Sequence, residues 1–167
     1  MMQILLLAQK KSPDSIPYLY GQTYSILPQL VVPRILNPNK IWALEGTSLL
    51  NIHYKIQTRE ETLVTTIGWG LLAESYANFG LVGCGGLAIV LGTVYGKATR
   101  WSINAPILSA QSLFSVMMMS FAFQSESTAG EIVAGLSQST TVLIGIALFL
   151  MQKQRVPIYG IPPGRIT

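Results

Sequence analysis

"FGLVGCGGLAIVLGTVYG", Phe79 to Gly96, decides the fold class, because it runs for eighteen positions without a charged side chain. Two further runs share the property: "INAPILSAQSLFSVMMMSFAF", Ile103 to Phe123, and "IVAGLSQSTTVLIGIALFLM", Ile132 to Met151. A helix that crosses the hydrocarbon core of a bilayer needs about 20 apolar residues. The competing explanation is three core helices of a soluble protein, but such cores seldom hold three uncharged runs of this length. Charged residues make up 11% of the 167-residue chain, against about 25% in ordinary soluble domains. Lipid demands no charged cover, whereas water does. The expectation is an all-α polytopic membrane protein with transmembrane helices at 79–96, 103–123 and 132–151.

The short connections carry the orientation. Lys97 and Arg100 lie between the first two runs, Glu126 and Glu131 between the second and third, and Lys153, Arg155 and Arg165 after the third. Basic loops stay cytoplasmic. The 97–102 connection and the 152–167 tail are therefore expected inside. The 124–131 connection and everything from 12 to 78 are expected outside, which is the periplasm if the membrane is a bacterial inner membrane.

Upstream of the first run, residues 1–11 read as the stump of an apolar helix. Residues 12–59 read as an external loop rich in Pro, Tyr and Asn, since "SPDSIPYLYG" and "NPNK" are turn-forming. Residues 60–78 read as a helix at the outer interface, with Trp69 and Tyr76 at headgroup depth and with Asn78 and Gly80 at its junction with the first span. Gly80, Cys84, Ala88, Gly92 and Gly96 recur every fourth residue, a small-residue stripe suited to close helix packing. Gln138, Ser139, Thr140 and Thr141 are polar positions within the third run and are expected to face protein.

Several chemistries are excluded. One cysteine, Cys84, permits no intrachain disulfide, and one histidine, His53, makes no histidine-based metal site. No P-loop or dinucleotide fingerprint occurs in a useful context, so no cofactor, no metal and no nucleic-acid partner are expected. What remains is "LPQLVVPRILNPNKIW", residues 27 to 42, where Pro28, Pro33 and Pro38 stiffen a backbone carrying Arg34 and Lys40. A guanidinium fork grips phosphate oxygens. Glu74 is a carboxylate close to the membrane on the same side. Fixed cations and a carboxylate at an outer interface suit chemistry on a phosphorylated lipid.

These stretches also carry a resemblance. Pro33, Arg34, Leu36, Pro38 and Lys40 follow a proline-arginine motif, PR-x-L-W-P-x-K-P, of O-antigen polymerase-type proteins, the oligosaccharide repeat-unit polymerases. Glu74, Tyr76, Asn78, Phe79 and Gly80 follow that family's E-x-Y-x-N-F-G. Pro13, Pro17, Tyr18, Gly21 and Tyr24 are similar to its P-x-x-x-P-Y-x-x-G-x-x-Y. The resemblance covers about residues 12–155. Asn37 stands where the motif has Trp, and Ile41 where it has Pro. The family has about ten or more spans, so the chain corresponds to its C-terminal part, with upstream helices or other polysaccharide-assembly proteins as partners.

The resemblance implies a glycosyltransferase that joins oligosaccharide units carried on undecaprenyl pyrophosphate at the periplasmic face of the inner membrane. A hydroxyl of one unit attacks the anomeric carbon of another, and the lipid pyrophosphate leaves. On that basis Arg34 and Lys40 would hold pyrophosphate, Glu74 would be the catalytic base, and Tyr18, Tyr24 and Tyr76 would face sugar. A ligase that moves finished glycan to another acceptor has nearly the same needs. A non-catalytic export subunit is a third class, though a flippase should carry charges inside its spans, and these runs have none.

Overall fold

The computed structural model describes residues 2–32, 37–106, 109–124 and 126–154, and these are helical with no strand among them. The elements are α1 (Met2–Lys11), α2 (Gln22–Ser25), α3 (Leu27–Val31), α4 (Glu45–His53), α5 (Arg59–Val64), α6 (Leu71–Ser102), α7 (Ala110–Ala122) and α8 (Ala129–Gln154). Helices α1 to α5 and the beginning of α6 form a small head with its own core. The rest of α6, α7 and α8 make an apolar stem.

The head is closed by aromatic packing that is also hydrogen-bonded. Trp69 is fully buried, its ring 4.8 Å from that of Tyr54. Its indole Nε1–H donates to Asn51 Oδ1 at 2.7 Å, and Asn51 Nδ2 donates to the Ile67 carbonyl at 3.1 Å. Buried Trp and Asn are tolerable because each polar atom has a partner. Ala8 of α1, Leu50 of α4, and Ala73 and Ala77 of α6 complete this core. Lys11 Nζ donates to the carbonyl of Tyr54, just past the end of α4, where helix carbonyls lack partners and the dipole favours a cation. Trp69 is therefore a core residue and not the interfacial anchor that its type suggested. Tyr76 is likewise buried.

The helix expected at 60–78 is two helices. Thr58 caps α5, accepting from the Glu61 N–H while the Glu61 side chain accepts from the Thr58 N–H. This is a capping box. The helix ends at Val64; Thr65 is extended, and Gly68 and Gly70 follow before α6 starts at Leu71.

Helix α6 is not straight. Gly80 has φ 64 and ψ −147 inside it, a combination open to glycine and strained for other residues. The carbonyl of Leu72 lies 3.8 Å from Cys84 Sγ. Twelve residues of straight helix would separate them by roughly 18 Å. The chain thus folds back at Gly80, and residues 71–79 lie along the start of 81–102. Gly83 stands at the contact: a Cβ there would meet the Ser75 carbonyl at 2.5 Å and Phe79 Cβ at 2.9 Å. The small-residue stripe is used differently from expectation. Gly80 is the turn, Gly83 outside the stripe makes the close approach, and a Cβ at Gly92 or Gly96 would meet only open space.

Two helices, Leu71–Ser102 and Ala129–Ile146 within α8, are long and apolar enough to cross a membrane. Beyond the fold-back, 81–102 still extends roughly 33 Å, enough for a core of about 30 Å. Leu81, Val82, Ile89, Val142 and Phe149 are more than half exposed, the surface that a hydrocarbon solvent accommodates. The run at 103–123 differs from expectation: among its described residues the helix is Ala110–Ala122. Pro106 is not helical, and Ser109 opens α7 as its N-cap by accepting from the Ser112 N–H at 3.2 Å. A proline stops a helix and an N-cap serine starts one, signals that a count of uncharged residues ignores. At roughly 20 Å, α7 is shorter than the bilayer core. At the head end of the stem, Gly70 N–H donates to the Glu126 carbonyl at 3.0 Å. The α7–α8 connection therefore sits against the head, and Ser102 lies at the far end of α6.

Candidate functional site

The fold-back builds the site. Breaking a helix at Gly80 deprives the carbonyls of Ala77 and Asn78 of their usual intrahelical donors. Leu19 N–H supplies the first at 3.0 Å and Tyr20 N–H the second at 3.1 Å. The Asn78 side chain finishes the joint. Its Oδ1 accepts from Gly21 N–H at 3.0 Å, and its Nδ2 donates to Thr23 Oγ1 at 2.8 Å and to the Glu74 carbonyl at 2.9 Å. The two stretches around 18–24 and 74–80, far apart in sequence, are one structural unit. Glycine is needed on both sides of it. A Cβ on Gly80 would lie 2.9 Å from the Tyr18 hydroxyl, and one on Gly21, at φ 89, 3.1 Å from the Phe79 ring.

This unit forms one end of a cleft of about 660 Å³ between α6 and α8. Tyr18, Tyr20, Tyr24 and Phe79 line that end. Tyr24 lies parallel to Phe79 with ring centres 6.2 Å apart, and Tyr18 and Tyr20 meet edge to face at 6.4 Å. Below them the walls are aliphatic: Val82, Leu87, Val90 and Leu91 from α6, Ile132 and Val133 from α8, with Gly83 and Gly86 leaving room. Burial, and secondarily the nearby Glu74 carboxylate, push the Tyr24 phenol up to about 12, so it stays a neutral hydrogen-bond donor at any physiological pH.

The residues expected to act together are distributed. Tyr18 and Tyr24 line the cleft. Tyr76 does not: it lies in the head core, edge-on to Tyr18 at 6.2 Å. Glu74 is fully buried and is absent from the cleft wall. Its Oε2 accepts from the Ala129 N–H at 2.6 Å, at the start of α8, where unpaired amides and the helix dipole favour a carboxylate. Its other oxygen, Oε1, is buried without a partner. As placed, Glu74 holds α8 against α6, whereas a base in reach of substrate was expected of it. Glu131 sits in the same turn of α8, accepting from Thr47 Oγ1 at 2.6 Å and Thr128 Oγ1 at 3.1 Å.

Arg34 lies outside the described residues. Lys40 is half-buried and turns back to donate its ammonium to the Leu30 carbonyl, near the end of α3. That carbonyl also accepts from Ser137 Oγ at 3.4 Å. Ser137 is one turn along α8 from Val133, so the end of the proline-rich stretch is held beside the helix that walls the cleft. His53 Nε2 is 2.8 Å from the Pro17 carbonyl, a structural contact. Among the described residues no three His, Cys, Asp or Glu side chains are grouped to hold a metal ion.

Tyr20, Thr23 and Thr128 were not singled out from sequence. Tyr20 had a visible signal, as the second aromatic of "YLYG" beside a turn glycine. Thr23 and Thr128 had none, because their roles depend on partners 55 and 81 positions away. Comparison with family models, with curated proteins and with solved structures finds no match to this chain.

Proposed function

We propose that the chain is the lipid-glycan-binding part of a membrane glycosyltransferase of the O-antigen polymerase type. It would join oligosaccharide units carried on undecaprenyl pyrophosphate at the periplasmic face of a bacterial inner membrane. The observation that carries the reading is the cleft, aliphatic along the stem and tyrosine-lined where stem meets head. An isoprenoid chain suits the aliphatic part and a sugar suits the tyrosines. The motif resemblance supplies the reaction class, and the contact between head and α7–α8 connection agrees with both facing one side of the bilayer.

In this reading the pyrophosphate lies at the boundary, toward the stretch carrying Arg34 and Lys40. The anomeric C–O bond to pyrophosphate breaks as the acceptor hydroxyl forms the new glycosidic bond, and the hydroxyl proton passes to the departing pyrophosphate. Preorganised cations lower the barrier by neutralising charge that grows on the leaving group. Lys40 must exchange its contact with the Leu30 carbonyl for phosphate. Glu74 is assigned a positioning role: it fixes the start of α8, and with it the Ile132–Val133 wall.

Arg34 provides the test, in a complete polymer-forming system, with glycan chain length measured per molecule of membrane-inserted protein. Losing one contact made to the transition state costs about 3–4 kcal/mol, on the order of a hundred- to thousand-fold in rate. Arg34→Ala should fall by that much, and Arg34→Lys by less, since it keeps charge but loses the fork. Normal long chains from a stably inserted Arg34→Ala protein would remove the reading.

A further inference from the structure

Tyr20 is placed against the interest of the fold. Its φ is 47, the left-handed region that a bulky residue enters only at a cost and that Gly or Asn adopts readily. The backbone is held there by hydrogen bonds from the Tyr20 and Gly21 amides to the carbonyl and side chain of Asn78. These bonds need no side chain at position 20. The residue is 77% exposed, and its aromatic contact is with Tyr18, edge to face. Folding therefore gains almost nothing from it, while the backbone is strained by keeping it. Strain that persists at a ligand-facing position points to use by the ligand. The ring stands at the tyrosine-lined end of the cleft.

We propose that Tyr20 is a sugar-binding platform: its ring stacks on the carbohydrate ring of an isoprenoid-linked glycan whose chain lies in the aliphatic part of the cleft. This rests on reading the cleft as a lipid-glycan site and adds the residue that distinguishes glycan-bearing from bare lipid. A tyrosine offers an apolar face to the C–H face of a pyranose and a hydroxyl to its edge. The alternative is a tyrosine that only anchors the head among lipid headgroups.

The test uses the full 167-residue chain in lipid nanodiscs, titrated with farnesyl β-D-glucoside and with farnesol, alongside thermal unfolding. Wild type should bind the glucoside about two- to tenfold more tightly than farnesol, the size of one favourable aromatic contact. Tyr20→Gly and Tyr20→Asn should bring that ratio to about one, with farnesol affinity unchanged and thermal stability equal or higher. Tyr20→Phe should keep most of the preference. A wild type indifferent to the sugar, or a Tyr20→Gly chain that keeps the preference, would overturn the proposal and leave Tyr20 as an anchor. Because the assay reads binding alone, a Tyr20-dependent preference found together with normal long chains from Arg34→Ala in the complete system would count against the polymerase reading and for this one.

Discussion

Glu74 Oε2 accepts the backbone N–H of Ala129 at 2.6 Å, joining the folded-back part of α6 to the start of α8 across 55 positions of sequence. A carboxylate used this way is a strut, and its removal should disturb the wall of the cleft before it disturbs chemistry.

Glu74→Ala leaves the Ala129 amide without its acceptor and opens a hole in a fully buried site. A loss of about 2–4 kcal/mol is expected, from the unpaired donor and the missing side-chain packing. Glu74→Gln keeps an acceptor oxygen and should lose less. Denaturant unfolding in detergent, followed by helical circular dichroism, measures both. If glycan formation per folded molecule vanished in Glu74→Gln at unchanged stability, the positioning role would give way to a direct catalytic one.

Gly80 and Gly92 make a matched pair. Gly80→Ala forces a side chain into a glycine-only conformation, at about 1–3 kcal/mol, and sets its Cβ against the Tyr18 hydroxyl. Gly92→Ala meets open space and in this chain should be neutral or stabilising by up to about 1 kcal/mol, since Ala is the better helix former. Equal effects of the two substitutions on thermal unfolding would argue against the fold-back.

Tyrosinate absorbance tests the burial of Tyr24. Its phenol titrates near 12 in the folded chain against 10.0 for a free one. Between those values the unfolded chain has lost a proton that the folded chain keeps, so stability is full below pH 10 and falls as pH rises toward 12. Tyr24→Phe should flatten that part of the stability profile. An unchanged slope would place Tyr24 in water.

Cysteines introduced at Ser127 and Ser102, in a Cys84→Ser background, test the topology. Ser127 belongs to the connection held against the head, and Ser102 ends α6 at the far end of the stem. Ser127→Cys is expected to react with an impermeant thiol reagent in intact spheroplasts, and Ser102→Cys only after lysis. The reverse pattern would move the tyrosine-lined end of the cleft to the cytoplasm.

The helical class and two candidate spans were legible because they follow from local composition. The uncharged run after Phe79 and the one after Ile132 each contain a long helix. Asn78 and Gly80 were also readable as a junction. The run at 103–123 misled because hydropathy averages over Pro106 and Ser109, which stop and start a helix without adding charge. Trp69 misled because its type suits both an interface and a core, and its partner Asn51 lies 18 positions earlier, on α4. Tyr18 and Tyr24, singled out as sugar-facing through the resemblance, line a cleft that the sequence did not announce. Glu74 was singled out as a base, and its contact with α8 was not foreseen: nothing near position 74 announces that the Ala129 N–H will donate to its carboxylate.

The bend at Gly80 also bears on the order in which the protein is made. Two carbonyls opened at Ala77 and Asn78 are tolerable in water but cost several kcal/mol each in hydrocarbon if left unmatched. Their donors, Leu19 and Tyr20, are synthesised some sixty residues earlier. The head must therefore have begun to dock before the bend can settle at the membrane. Settling of this long apolar helix is coupled to the folding of a segment made before it. A chain whose residues 18–24 are delayed in docking should hold 71–102 as one straight helix, with the wrong length and no cleft.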